Sequence, residues 1–113
     1  MYIILFFLFS IIFSNNFENV TVLEMSSKSQ LKKYMKSISK DLGVECKFCH
    51  DMDDKSIDTP HKEIAREMIL LTRQINDYLH AFKSNKEDEV MTITCWTCHK
   101  GYAEVETKRS ESE

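Results

Sequence analysis

Glycine and proline are scarce in this chain: two and one in 113 residues. That scarcity disfavours a turn-rich all-β fold and suits helices. A basic excess is also missing. The formal net charge is -3, without the positive footprint of a nucleic-acid binder. The longest apolar run falls short of the roughly 20 residues a bilayer-spanning helix needs. At this length one domain is the ceiling. What the chain does hold is four cysteines and six methionines, the softer ligands of biological iron and copper.

The apolar run is N-terminal, Met1 to Ser14, with no charged side chain. Its length matches a signal-peptide h-region, and Ser14, Asn15 and Asn16 make a small, polar exit. Residues 1–15 therefore read as an export signal or, uncleaved, as an N-terminal anchor. The missing Lys or Arg and the poor cleavage site at Ile12-Phe13-Ser14 keep the anchor open. Residues 16–103 form the expected domain. Residues 104–113, charged and without apolar pattern, read as a disordered tail. Export matters for the cysteines, since four of them in an oxidising compartment can simply be two disulfides.

Two helices are legible. Val20, Val22 and Leu23 first suggest a brief strand or an extended arm. Then Leu31, Met35, Ile38 and Leu42 recur at helical spacing, with Lys32, Lys33, Lys36 and Lys40 mostly on other faces. Ser27 or Ser29 can cap the start, and Gly43 sits where a C′ glycine belongs. The second, longer helix begins with Thr59 as N-cap and Pro60 at the first helical position. Ile64, Met68, Leu71, Ile75, Tyr78 or Leu79, and Phe82 hold its period over five turns. An acidic loop, Asp51 to Asp58, precedes this helix, and a charged segment, Ser84 to Glu89, follows it.

Each helix leads to one copy of the same pentapeptide: Cys46-Lys-Phe-Cys49-His50 and Cys95-Trp-Thr-Cys98-His99. Cys-x-x-Cys-His is the attachment signature of c-type haem. Thiols at i and i+3 of one helical turn reach the two vinyl groups on a porphyrin edge. The adjacent His then supplies the proximal nitrogen to iron. All four cysteines and half of the four histidines are consumed by the two copies. A disulfide framework needs no His after each pair. A zinc site leaves both His positions unexplained and usually carries Gly or Pro turns that are missing here. A thioredoxin-type pair lacks its βαβ context.

An electron-carrying haem iron normally has a sixth ligand, and a Met thioether in that place favours Fe(II). Met35 and Met68 each lie on the helix before a motif. From spacing alone, ligation and core filling weigh equally for both. Met25, Met52 and Met91 lie outside a helical pattern. His61 and His80 are rival distal ligands.

The run Met35 to His50, then Ala65-Arg-Glu-Met68, Arg73-Gln-Ile-Asn76 and Thr94 to Gly101, resembles the cytochrome subunit of photosynthetic reaction centres. That family carries four haems as two related pairs, and residues 27–102 resemble one pair standing alone. The resemblance implies a helix before each motif, parallel to the haem plane, offering Met35 and Met68 as sixth ligands. It also implies one haem with two His ligands, which keeps His80 in reserve for Met68. Arg73 pairs with a haem propionate or faces solvent. The photosynthetic role is not carried over.

The expected fold is all-α: a small multi-helix c-type cytochrome domain built around two covalently bound haems, with Tyr34, Phe48, Phe82 and Trp96 packing on the rings. Hexacoordinate iron leaves no position for substrate. The expected function is thus electron transfer by a periplasmic or otherwise exported dihaem protein, not an enzyme. The cofactors are two haem c groups. The metal ligands are His50, His99, Met35 and Met68, and the thioether links come from Cys46, Cys49, Cys95 and Cys98. The acidic balance and the propionates suggest transient docking to the basic face of a redox protein, or a place in a membrane-associated electron-transfer complex. A dihaem peroxidase-like enzyme and a haem sensor are the rival readings.

Overall fold

A computed structural model describes residues 17–82 and 91–109. The proposed export signal, the whole charged segment Ser84 to Glu89 and residues 110–113 of the proposed tail lie outside them.

The first helix, α1, spans Lys28–Leu42. Ser27 caps it, its hydroxyl accepting from the Gln30 N–H at 3.2 Å, which satisfies one of the four orphan donors of the first turn. Gly43 ends it in the left-handed region, φ 65, and its N–H returns to the Lys40 carbonyl. Lys28, Lys32, Lys36 and Lys40 form a ladder along its exposed side, with Lys33 beside it. The long helix, α2, spans Pro60–Phe82. Thr59 acts as its N-cap: its hydroxyl accepts from the Lys62 N–H at 3.2 Å and its carbonyl from Glu63 at 3.1 Å. A third helix, α3, is the single turn Cys95–His99. No strand occurs among the described residues, and the Val20 segment is an irregular arm with a turn at Asn19 and a bend at Val22. Arg66 and Arg73 of α2 hold that arm by the carbonyls of Asn19, at 3.1 Å, and Val22, at 2.6 Å.

The packing is unusual for a folded chain of this size. Helix α1 rests on α3, while α2 makes few direct contacts with either. Only Ile69 counts as buried among the described residues, at 8% exposure. The periodic stripe of α2 stays open to solvent at Ile64, Met68, Leu71, Ile75, Tyr78 and Phe82. Tyr78 and Phe82 stack on each other, ring centres 6.4 Å apart. Helices that should bury apolar faces against one another are instead separated by cavities.

The two glycines meet at the one close helix contact. A Cβ on Gly43 would lie 2.0 Å from the Gly101 carbonyl oxygen. The Gly101 N–H donates to Asp41 at the end of α1 at 2.8 Å. The turn after the second motif is thus fastened to the helix before the first.

Candidate functional site

Both pentapeptides fold as one helical turn. In the first, Cys46–Phe48 is a 3₁₀ turn, extended by bonds from the N–H groups of Cys49, at 3.3 Å, and His50, at 3.0 Å, to the Cys46 carbonyl. The start of α2 holds it in place. The Thr59 hydroxyl donates to the Cys49 carbonyl. His61 donates from Nδ1 to the Phe48 carbonyl at 2.9 Å and stacks on the Phe48 ring, centres 4.1 Å apart.

In the second, Thr94 caps α3 in a reciprocal capping box with Thr97. The preceding segment is clamped to α2 by one side chain. The Asn76 amide donates to the Ile93 carbonyl at 2.9 Å and accepts from the Ile93 N–H at 2.8 Å.

The two motif histidines share a constraint. His50 Nδ1 faces the Lys55 carbonyl at 3.3 Å, and His99 Nδ1 faces the Tyr102 carbonyl at 2.9 Å. A carbonyl only accepts, so Nδ1 carries the proton in each. That tautomer leaves Nε2 with a free lone pair, the arrangement that suits an imidazole for binding a metal.

The first motif lines a cavity with both cysteines and its histidine, whereas the second touches one through Cys95 alone, with Cys98 and His99 outside both walls. The first cavity, about 400 Å³, is walled largely by apolar groups and brings together Met35, Cys46, Cys49 and His50. The second, about 520 Å³, lies between α1 and α2 and is lined by Tyr34, Ile38, Asp41, Ile69, Arg73, Asn76 and Cys95. These volumes fall in the range of cofactor sites. Met68 is absent from both walls and sits on the open stripe of α2, 42% exposed. His80 is exposed on the last turn of α2. Arg73 lines the second cavity and also donates to Val22. Of the aromatics expected around the rings, Tyr34 lines the second cavity, whereas Phe82 is 81% exposed.

All four thiols are free. Burial pushes the Cys49 thiol up; burial, followed by the Asp41 charge, does the same to Cys95. Thiolate chemistry calls for the opposite shift. No three His, Cys, Asp or Glu side chains among the described residues converge in a way that would hold a metal ion. At the first motif a cysteine pair at helical spacing and a histidine with Nε2 free share one largely apolar cavity with Met35, which fits covalently held haem; at the second motif the same turn and the same histidine bond recur, with Cys95 alone in the cavity wall.

The sequence reading quoted Arg66, Asn76 and Gly101 only inside the segments that carry the family resemblance and gave them no role; Lys62, and Thr59 as a motif anchor, it did not single out. Lys62 and Arg66 are largely covered, their side chains 12% and 18% exposed, and both are tied to Asp58. The Arg66 and Asn19 hydrogen bonds hold the Asp58 carboxyl below its ordinary value. Polar residues on a helix read as solvated in a single sequence, and no pattern distinguishes these.

The sequence profile described as photosynthetic reaction centre cytochrome C subunit matches residues 12–108. Cytochrome c-554 of Chloroflexus aurantiacus is 35% identical over 86 residues, which cover 74% of this chain. The chain spans only 20% of that relative's length. No solved structure matches it. No helix among the described residues is long and apolar enough to cross a membrane.

Proposed function

The chain belongs to the family of the photosynthetic reaction centre cytochrome c subunit, and from that premise we propose that it is an exported dihaem electron carrier. The family is one of c-type cytochromes, which hold haem c covalently and transfer electrons. The finer reading is that this chain binds two such groups and passes single electrons between redox proteins that dock transiently.

The observation that carries the reading is the duplicated turn: two Cys-x-x-Cys-His segments, each with histidine Nδ1 on a backbone carbonyl, the first lining a cavity with both cysteines and its histidine and the second reaching one through Cys95. When bound, each haem supplies an iron that cycles between Fe(III) and Fe(II) by one electron. The chain's residues do the rest. Cys46 and Cys49, and Cys95 and Cys98, anchor the two groups. His50 and His99 present Nε2. Met35, in the wall of the first cavity, would be the second protein ligand to iron there. Met68 is assigned the same task at the second site, where the open stripe of α2 becomes covered. Apolar side chains exclude water, which favours a low-dielectric redox centre.

The test is the intact mass of the protein produced with c-type maturation, together with the reduced haemochrome spectrum. A mass increased by two haems, with a thioether-type spectrum, is the expected result. One haem would limit the reading to a single site, and none would overturn it.

A further inference from the structure

The two motif histidines differ in what else touches their acceptor carbonyl. Among the described residues, His99 alone donates to the Tyr102 carbonyl, at 2.9 Å. The Lys55 carbonyl that faces His50 is shared. It accepts from the Lys62 ammonium at 3.1 Å, and its bond to His50 is longer, 3.3 Å. Lys62 is not a wandering surface lysine. Its Nζ also donates to the carbonyls of Ser56, at 2.8 Å, and Ile57, at 3.2 Å. Asp58 lies 3.4 Å from Lys62 but closer to Arg66, at 2.9 Å. The carboxylate is thus committed more to the arginine, and the ammonium acts mainly on carbonyls.

A cation bound to a carbonyl oxygen withdraws electron density from it. The oxygen becomes a weaker acceptor for the second donor. The partner of a ligating histidine's Nδ1–H tunes the basicity of that ligand: a strong acceptor makes Nε2 a richer donor to iron and favours Fe(III), and a weak one does the reverse. The unshared Tyr102 carbonyl is the stronger acceptor of the two.

We propose that Lys62 is a positioning residue that, through the Lys55 carbonyl, raises the reduction potential of the site built on His50 above that of the site built on His99. The inference rests on the two-haem reading. It gives the pair a direction: an electron held at the second site moves downhill to the first, one electron per step, before leaving to a one-electron acceptor.

The experiment is a redox titration, followed by visible absorption, of the haem-loaded wild type and of Lys62→Met, Lys62→Gln and Lys62→Arg. The wild type should give two separate one-electron waves. Removing the charge, in both Lys62→Met and Lys62→Gln, should move the higher wave down and leave the lower one in place. The expected change is up to about tenfold in the oxidised-to-reduced ratio at fixed potential, equivalent to about 59 mV for one electron. Lys62→Arg should keep the wild-type position. An unmoved higher wave in the neutral variants, movement of the lower wave instead, or an equal shift in Lys62→Arg would each overturn the proposal while leaving the haems in place. A wild type without haem would instead overturn the parent reading, and this inference with it.

Discussion

Replacing Gly43 by alanine should be among the most damaging single-methyl changes in the chain. Gly43 sits at φ 65, and an added Cβ would come within 2.0 Å of the Gly101 carbonyl oxygen. The backbone conformation alone costs an L-residue about 1–2 kcal/mol. The clash is with backbone, so no rotamer relieves it, and the end of α1 must part from the turn after the second motif. That parting threatens the 2.8 Å bond from Gly101 to Asp41, worth about 1 kcal/mol net. The sum is roughly 2–3 kcal/mol, a large share of the stability of a domain this small. At about 4–8 °C per kcal/mol, the melting temperature should fall by about 10–20 °C. The assay is thermal unfolding of the haem-loaded protein, followed by far-UV circular dichroism. Lys100→Gly is the control within the same turn. Lys100 already sits at φ 51, so glycine there relieves strain and should move the midpoint by a few degrees at most. A Gly43→Ala protein that melts within about 2 °C of wild type, a fraction of 1 kcal/mol, would refute the reasoning.

Met35→Ala should abolish the Met-ligated low-spin signature of one haem and Met68→Ala that of the other; visible and near-infrared absorption of each variant checks the assignment, and an unchanged Met68→Ala spectrum would transfer the role to His80. Acid should weaken the fold through Asp58: its folded-state value is depressed by Arg66 and Asn19, so its contribution is present above the ordinary carboxylate value and is lost as pH falls through the lower folded one. Melting temperature measured down the acid limb should therefore drop less steeply in Asp58→Asn than in wild type. A chain with all four cysteines replaced by serine should show no cooperative melt, because Ile69 is the one buried side chain among the described residues; a sharp transition by calorimetry would count against a haem-built core.

The helices were legible because their ends carry local chemistry. Ser27, Gly43 and the Thr59-Pro60 pair each act within one turn of their own position, so a single sequence suffices to place them. The motif turns were legible for the same reason. What eluded the sequence is long-range. Asn76 reaches Ile93 across the segment leading to α3, and Arg66 reaches Asn19 across 47 positions. Nothing local distinguishes these side chains from solvated ones. The α2 stripe shows a different limit. Its period located the helix, yet Ile64, Met68 and Leu71 remain exposed, since periodicity reports that a face wants covering and not what covers it. Gly101 was invisible as a constraint because its partner, the end of α1, lies far off in the chain.

The fastening of Gly101 to the end of α1 bears on timing as well as on shape. Electron tunnelling decays steeply with distance, so a relay whose two centres drift apart and together has a hop rate that flickers with thermal motion. Here the turn that follows one motif and the helix that precedes the other share a backbone contact too tight for a methyl group. For the proposed pair of haems, that contact would restrain the separation of the two attachment turns, and with it the spread of internal hop rates.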